Sequence, residues 1–400
     1  MSGMVSTLLR VALPAMALLL VACAPRRTPA DSDHTNLRTA YQHSFRIGTA
    51  VNAAIVAGQD PASALLVQTH FNSITAENVL KNEVVHPRPG VYDFAPADAF
   101  VAFGEQHGMF IVGHTLVWHK QTPDWFFQDA HGQPNPPAVQ LRRMCEHIAA
   151  VAGRYRGRIH AWDVVNEVID DEGHYRPTRW VQAIGDGDLL VREAFRCAAR
   201  HAPDTELYYN DFNTFRPAKR AGIVRLVKLL QEAGIRIDGV GMQGHWGLNY
   251  PALTDIEDAI EAYAAQGVKV MITELDIDVL PLTREGQVIG TGLQHPQFQL
   301  PEFERYLDPY QAGLPVGVDR QLAARYAELF QLFLRKREAI DRVTFWGVHD
   351  GMSWKNDYPI ARRTNYPLLF DRARQPKRAL KAVLTVAAQA SATSATGSDR

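Results

Sequence analysis

Between residues 38 and 386 the chain alternates short, almost continuously apolar runs with longer stretches that have helical spacing. Strands that are buried on both faces, as in a parallel sheet, show this continuous apolarity. Proline at helix starts, as in Asp60-Pro61, and glycine at helix ends, as at Gly108, separate the two kinds of segment. The runs predicted as strands are 45–51, 71–76, 109–117, 159–165, 206–210, 237–242, 268–273 and 343–348.

This pattern predicts an α/β fold, a (β/α)8 TIM barrel that forms a single domain over residues 38–386. Apolar residues make up 46% of the chain, which is enough for one large core. A doubly wound sheet that binds a dinucleotide needs a glycine-rich phosphate loop after its first strand, and the sequence has none. The longest interruption, residues 280–318, follows the seventh predicted strand, and we assign it no role.

The N-terminus has the features of an export signal. Residues 11–22 form an apolar run that follows Arg10 and is too short to span a bilayer, which takes about 20 residues. The run ends in Leu20-Val21-Ala22-Cys23, which resembles the bacterial lipobox, so we expect residues 1–22 to be removed and Cys23 to be lipidated. The alternative is an ordinary cleaved signal that happens to contain a cysteine.

The segments on either side of the predicted domain are polar or low in complexity. Residues 23–37 contain proline and no hydrophobic periodicity, and are predicted to be a flexible tether. We expect the lipid to hold an exported protein at a bacterial membrane, and Ala24 favours the outer membrane in a Gram-negative host. Residues 387–400, rich in Ala, Ser and Thr, are predicted to be a disordered tail.

Charge and cysteine content exclude several classes of protein. The formal net charge of −1 provides no overall electrostatic field that would attract nucleic acid, so we expect no nucleic-acid partner. We also expect the protein to be a monomer. Three cysteines without a C-x-x-C pair argue against a disulfide scaffold and a zinc site. We expect Cys145 and Cys197 to be buried free thiols, with a disulfide as the alternative. His114 and His119 lack a third nearby ligand, so we expect neither a metal nor a cofactor.

Polar side chains gather where the predicted strands end, which is the edge at which TIM barrels place their active sites. Burying such groups without partners costs several kcal/mol each, so a large polar cleft explains them best. Along the chain they are Glu77, Asn78, Lys81, His114, Trp118, Gln121, Asn166, Glu167, Gln243, His245, Glu274, Asp276, Trp346 and Trp354.

Glu167 and Glu274 close strands that lie across the barrel mouth from each other. Two carboxylates that face each other across a cleft, among amides and tryptophans, are the groups needed for glycoside hydrolysis. One carboxylate must be ionised to attack the sugar, and its charge should raise the pKa of the other, which donates a proton. Tryptophan faces stack on sugar rings, and Asn, Gln, His and Lys bind hydroxyl groups.

Together these motifs resemble glycoside hydrolase family 10, the endo-β-1,4-xylanases, over about residues 40–385. The segments that carry the resemblance are Gly-His-Thr-Leu-Val-Trp-His (113–119), Trp-Asp-Val-Val-Asn-Glu (162–167), Thr-Glu-Leu-Asp (273–276) and Trp-Gly-Val-His-Asp (346–350). The chain departs from the family at Phe212, where a tyrosine is common, and in its long 280–318 insert.

The resemblance implies a role for each of these residues. Glu167 would be the acid/base and Glu274 the nucleophile of a retaining double displacement. Asn166 would hold the 2-hydroxyl of the sugar being cleaved, and His245, with Asp276 behind it, would orient Glu274 and keep it ionised. The resemblance places the following residues on the glycone side of a xylan or xylo-oligosaccharide: Glu77, Asn78, Lys81, His114, Trp118, Gln121, Gln243, Trp346 and Trp354.

Two other functions are compatible with a polar cleft on a barrel. A glycan-capturing lipoprotein without catalytic activity would keep the cleft, but loss of either glutamate would favour it, and both are present. A β-1,4-glucanase of a related barrel family usually has proline after the acid/base glutamate, whereas Val168 follows Glu167 here. The sequence therefore predicts a xylanase.

Overall fold

The computed structural model describes residues 36–281, 288–289 and 307–397. Parallel strands form a closed barrel, because the first strand pairs with the last and each of the others pairs with its neighbours. The strands are β1 Arg46–Val51, β2 Ser73–Ala76, β3 Phe110–Val117, β4 Ala161–Asn166, β5 Glu206–Asp211, β6 Gly239–Met242, β7 His245–Gly247, β8 Lys269–Asp278 and β9 Ile340–Phe345.

Helices lie between the strands of this barrel. Helix α3 begins as the sequence predicts, with Pro61 in its first turn and the Asp60 side chain as its cap, and α5 also has proline in its first turn. The helices are α1 Leu37–Ala40, α2 Ala53–Val56, α3 Pro61–His70, α4 Asn82–Val85, α5 Ala95–Gln106, α6 Pro137–Arg154, α7 Arg179–Ile184, α8 Gly187–His201, α9 Pro217–Glu232, α10 Leu253–Ala264, α11 Val316–Arg335 and α12 Arg378–Gly397.

The predicted (β/α)8 barrel is confirmed: all strands except β7 form it, and the β6–β8 and β1–β9 pairs close it. Every predicted run overlaps one of these eight strands. Strand β7 was not predicted, and it pairs with the second half of β8 through residues such as His245 and Asp276. This pairing extends β8 five residues beyond its predicted end at 273, to Asp278. Glu274 therefore lies within a strand, at an irregularity in the β8–β9 register between Ile272 and Leu275.

The core has two parts, as expected of a barrel that is surrounded by helices. Val112, Ala161, Tyr208 and Met271, on four different strands, form a small cluster separate from the main one. The large cluster contains the apolar faces of the helices and the outward side chains of the strands. Among the described residues, none of the helices combines the length and apolarity that crossing a bilayer requires.

The expectation of two free thiols is wrong, because Cys145 on α6 and Cys197 on α8 form a disulfide. Helices α6 and α8 pack side by side and bring the two Cα atoms to 5.6 Å, which is within the range that a disulfide spans. Residue spacing along the chain does not reveal this, since the two cysteines are 52 positions apart.

The predicted ends of the domain also need correction. Helix α12 continues to Gly397, where the sequence analysis predicts a disordered tail from residue 387, and Ala387 is buried. Alanine has the highest helix propensity, so an alanine-rich segment continues a helix without apolar periodicity. At the other end Leu37 is buried in α1, so the domain begins before residue 38. Cys23, the signal, and most of the tether and of the 280–318 insert lie outside the described residues.

Replacing Cys145 and Cys197 together with serine should lower the free energy of unfolding by about 2–4 kcal/mol, because the bond closes a long loop of the unfolded chain. Urea denaturation followed by tryptophan fluorescence measures this difference. Wild type treated with reductant serves as the control and should approach the variant. Equal midpoints for the oxidised wild type and the double variant would contradict the prediction.

Candidate active site

The predicted site residues lie around the mouth of the barrel where the strands end. One group follows β2 or lies on or just after β3, and a second lies at the end of β4. A third group lies on or near β7 and β8, and the last follows β9. Most are buried, including Lys81, His114, Gln243, His245 and Trp346. The structure therefore brings together residues that are up to about 280 positions apart in the sequence.

Glu167 follows β4, and its main chain is in the left-handed conformation, with φ of 61°. This conformation costs a residue with a side chain on the order of 1–2 kcal/mol, and such strain is concentrated at functional sites. The Glu167 amide donates to the carbonyl oxygen of Asn210 at 2.9 Å. Its carboxylate accepts hydrogen bonds from Trp118 Nε1 at 2.8 Å and from Gln243 Nε2 at 3.0 Å.

Glu274 is held by donors on both carboxylate oxygens. Asn210 Nδ2 donates to Oε1 at 2.8 Å, and His245 Nε2 lies 3.1 Å from Oε2. The other ring nitrogen of His245 is 3.0 Å from Asp276 Oδ2, which also accepts from Trp354 Nε1 at 2.8 Å. Burial lowers the pKa of His245, but the Asp276 and Glu274 carboxylates outweigh it and raise that pKa to about 9. At neutral pH the charged ring therefore orients Glu274.

Two amide residues connect the two carboxylates. Gln243 donates through its side chain to Glu167, and its carbonyl oxygen accepts from the Glu274 amide at 2.7 Å. Asn210 Nδ2 donates to Glu274 and lies 3.0 Å from the side-chain amide of Asn166. The main-chain carbonyl oxygen of Asn210 accepts from the Glu167 amide. The two glutamates thus lie on opposite sides of one small buried network.

The sequence argument that a charged neighbour raises the pKa of Glu167 is not confirmed. Burial raises the pKa of its carboxyl, but the hydrogen bond from Gln243, the charges of Lys120 and His119, and the bond from Trp118 together hold it below its ordinary value. Two of these contributors, Lys120 and His119, belong to a loop that the sequence analysis did not assign to Glu167.

The glycone side, as the resemblance defines it, has a buried lysine at its centre. Lys81 Nζ donates to Asn78 Oδ1 at 3.0 Å and lies 4.8 Å from the centre of a Trp118 ring. Burial lowers the pKa of Lys81, while the negative charges of Glu274, Glu77 and Glu167 oppose that effect. Burial raises the pKa of Glu77, and Lys81 opposes it. Gln121 is turned mainly toward Glu83, to which its Nε2 donates at 2.8 Å.

Aromatic rings and one histidine complete the walls. His114 Nδ1 lies 2.8 Å from Asp163 Oδ2, and its ring meets Trp346 edge-on at 5.3 Å. The Trp354 ring lies 4.8 Å from His245. Rings held in this way have fixed orientations and lose little further rotamer freedom if a ligand packs on them.

Phe212, where the chain departs from the family, lies beside two buried charges. Lys219 Nζ is 4.0 Å from the centre of the Phe212 ring and 2.8 Å from Asp211 Oδ1. The side chains of Lys219 and Asp211 are both fully buried. The Phe212 ring therefore packs against the ammonium group of Lys219.

Asn210 is a residue of the site to which the sequence analysis gives no role. The available signal was its place at the end of a predicted strand, but the sequence does not show that it contacts both glutamates. His119, which was weighed only as a metal ligand, instead lies near Glu167, and burial lowers its pKa to about 4. No group of three or more His, Cys, Asp or Glu suited to a metal ion occurs in the described part of the chain.

A closed TIM barrel with two buried carboxylates at its mouth is an arrangement that enzymes cleaving glycosidic bonds use. The model of the family described as "Glycosyl hydrolase family 10" matches residues 36–386. The chain therefore belongs to glycosyl hydrolase family 10.

Named relatives agree with this assignment. "Endo-1,4-beta-xylanase A" of Xylanibacter ruminicola is 42% identical over 85% of this chain and 90% of its own length. "Endo-1,4-beta-xylanase" of Geobacillus stearothermophilus is 41% identical over 88% of this chain and 98% of its own. The solved structure of a GH10 endoxylanase retrieved from a sugarcane soil metagenome has a TM-score of 0.81 at 42% identity, covering 88% of this chain and 99% of the other.

His245 should make stability depend on pH. Its pKa rises from 6.5 to about 9 on folding, so its contribution is complete below pH 6.5 and is lost as pH rises through 9. Relative to His245→Gln, the wild type should lose on the order of 3 kcal/mol of unfolding free energy between pH 6 and 9.5. Chemical denaturation at each pH measures this. Asp276→Asn should remove most of the pH dependence, and a difference that stays constant with pH would contradict the assignment.

Proposed function

We propose that this chain is an endo-1,4-β-xylanase that hydrolyses xylan with retention, with Glu167 as acid/base and Glu274 as nucleophile. The observation that carries the proposal is the buried network in which Asn210 and Gln243 connect the two carboxylates. Family membership and the names of the relatives support xylan as the substrate.

In the first step a Glu274 carboxylate oxygen attacks the anomeric carbon, and the bond from that carbon to the leaving sugar's oxygen breaks. Glu167 gives its proton to that oxygen, so the leaving sugar departs as a neutral alcohol. The charged His245 ring and Asn210 hold Glu274 from two sides, so the nucleophile is already oriented before substrate binds.

In the second step Glu167, now ionised, takes a proton from water. The resulting hydroxide attacks the anomeric carbon and releases Glu274 as a carboxylate, so the product has the configuration of the substrate. The lowered pKa of Glu167 in the ligand-free cleft keeps its carboxyl ionised, which is the form that accepts a proton in this step. A sugar that takes over the hydrogen bonds from Trp118 and Gln243 would remove two of its causes and favour the protonated form needed in the first step.

Substrate contacts follow from the walls of the cleft. We assign Asn166 to the 2-hydroxyl group of the cleaved sugar, and Asn78 and Lys81 to the next sugar on the glycone side. Trp346 and Trp354 would stack on sugar faces. The remaining groups proposed to bind hydroxyls or shape this side are Glu77, His114, Trp118, Gln121, Gln243 and His245.

Replacing Glu274 with alanine should abolish hydrolysis of aryl β-xylobiosides, and azide should restore activity with an α-glycosyl azide as product. Azide fits the space of the missing carboxylate and attacks from the same face. Product configuration is read by NMR. Glu338→Ala, at a glutamate whose side chain is 93% exposed, is the matched control and should keep full activity. A β-glycosyl azide would assign the nucleophile to another residue.

Replacing Glu167 with alanine should reduce activity most on substrates whose leaving group must be protonated before it can depart. We expect kcat/KM on xylan to fall by several orders of magnitude, and kcat/KM on a dinitrophenyl xylobioside to change little, since that leaving group departs unprotonated. Initial rates on the two substrates measure the contrast. An equal loss on both would remove Glu167 from the acid role.

We also propose that the mature protein is held at a bacterial membrane by a lipid on Cys23. Support comes from residues 11–23 of the sequence alone, which have the length and ending of a lipoprotein signal. The segment between Cys23 and the buried Leu37 would then connect the lipid to the barrel. Ala24 favours the outer membrane in a Gram-negative host.

Changing Cys23 to serine should abolish fatty-acid labelling and move active enzyme to the soluble fraction, or leave an uncleaved precursor. Metabolic labelling with a radioactive fatty acid measures this, and the Cys145→Ser/Cys197→Ser double variant, which keeps Cys23 as its only cysteine, is the control that should stay labelled. A wild-type protein without label would refute the anchor and leave a secreted enzyme.

A further inference from the structure

The seven residues 169–175 that follow Val168 form a short hairpin. Ile169 and Tyr175 make an isolated antiparallel bridge, and Asp170 Oδ1 accepts hydrogen bonds from the amides of Glu172 at 3.1 Å and His174 at 2.8 Å. The hairpin therefore reverses the chain locally and returns it to β4 nine residues after Glu167.

Arg176, the first residue after the hairpin, bonds to the main chain around Glu167. Its Nε donates to the carbonyl oxygen of Glu167 at 3.2 Å, and its Nη2 donates to that of Ile169 at 3.0 Å. The Arg176 amide donates to the carbonyl oxygen of Val168 at 2.7 Å. Three consecutive carbonyl groups, starting at the proposed acid/base residue, are thus bound by one arginine.

These bonds leave the Glu167 carboxylate to other partners. Trp118 and Gln243 donate to its oxygens, whereas the guanidinium of Arg176 stacks 5.0 Å from the centre of the Phe212 ring. Arg176 therefore acts on Glu167 through the main chain. The bond to the Glu167 carbonyl oxygen fixes the peptide plane between Glu167 and Val168. It thereby helps to hold Glu167 in its unfavourable left-handed conformation.

The hairpin that presents Arg176 is itself packed without free space. Gly173 has φ of +86°, and a Cβ added to it would lie 2.3 Å from the carbonyl oxygen of Ala218 on α9. Gly222, one turn further along α9, faces Gly173 equally closely. On the other side the Tyr175 hydroxyl donates to Asp188 on α8 at 2.7 Å. Two barrel helices therefore fix the position of the arginine.

We infer that Arg176 is a positioning residue that holds the main chain of Glu167 so that its carboxyl points at the leaving oxygen. The inference rests on the proposed acid role of Glu167. Loss of Arg176 lets this main chain relax, and the proton is then delivered from a poorer position. The defect grows with the need of the leaving group for a proton, because an aligned donor matters only when the proton is required.

The test compares Arg176→Met and Arg176→Lys with wild type on phenyl and 2,4-dinitrophenyl β-xylobiosides. For the methionine variant we expect kcat/KM to fall about 10- to 100-fold on the phenyl substrate and to change less than about threefold on the dinitrophenyl one. The lysine variant, whose side chain donates from a single nitrogen, should recover part of the lost kcat/KM on the phenyl substrate. It also serves as the test if the methionine variant does not fold.

Arg179→Met is the matched control, since the Arg179 guanidinium stacks on Phe127 at 4.2 Å and pairs with exposed Asp124. It should leave both substrates unaffected. Equal losses on both substrates in the Arg176 variants, or no loss, would overturn the inference and leave Arg176 a structural residue. Glu167→Ala in the same experiment separates the two proposals: if it lacks the leaving-group contrast, the acid role itself fails.

Discussion

The structure depends on placing two carboxylates in one buried network. A carboxylate withdrawn from water must accept hydrogen bonds or take up a proton, and two of them close together repel each other. The chain meets this with amide donors shared between the two sides: Gln243 and Asn210 each bind one glutamate through the side chain and the other through the main chain. The strands that carry these four residues are adjacent, so barrel closure is what makes the arrangement possible.

The two glutamates differ in how they are held. Glu274 lies inside β8, where its amide donates to the carbonyl oxygen of Gln243, and its carboxylate meets a charged histidine. Glu167 lies just beyond β4 in a left-handed conformation, and its orientation depends on contacts from β5 and from the hairpin that follows. This difference agrees with their proposed roles. The nucleophile attacks the anomeric carbon from one direction, whereas the acid/base gives a proton to the leaving sugar and then takes one from water.

Much of this was predictable from sequence, for identifiable reasons. Buried parallel strands leave continuous apolar runs, and polar residues at their ends indicated the mouth of the barrel. The lowered pKa of Glu167 was not predictable, because it arises from Gln243 and Lys120, whose distances from the carboxylate depend on the folded loops. The contacts of Asn210 and Arg176 with the main chain of Glu167 were not predictable either, because a main-chain partner leaves no trace in residue type.

The disulfide between α6 and α8 has a consequence for how the protein is made. These helices flank β4, the strand that leads into Glu167, and their sulfur atoms join only where the surroundings are oxidising. A barrel that completes folding in a reducing cytosol would keep the same helix packing without the covalent link. Protein produced in an oxidising compartment and protein produced in a reducing one would therefore have the same active site. The two preparations would differ in thermal stability, because only the first would contain the disulfide.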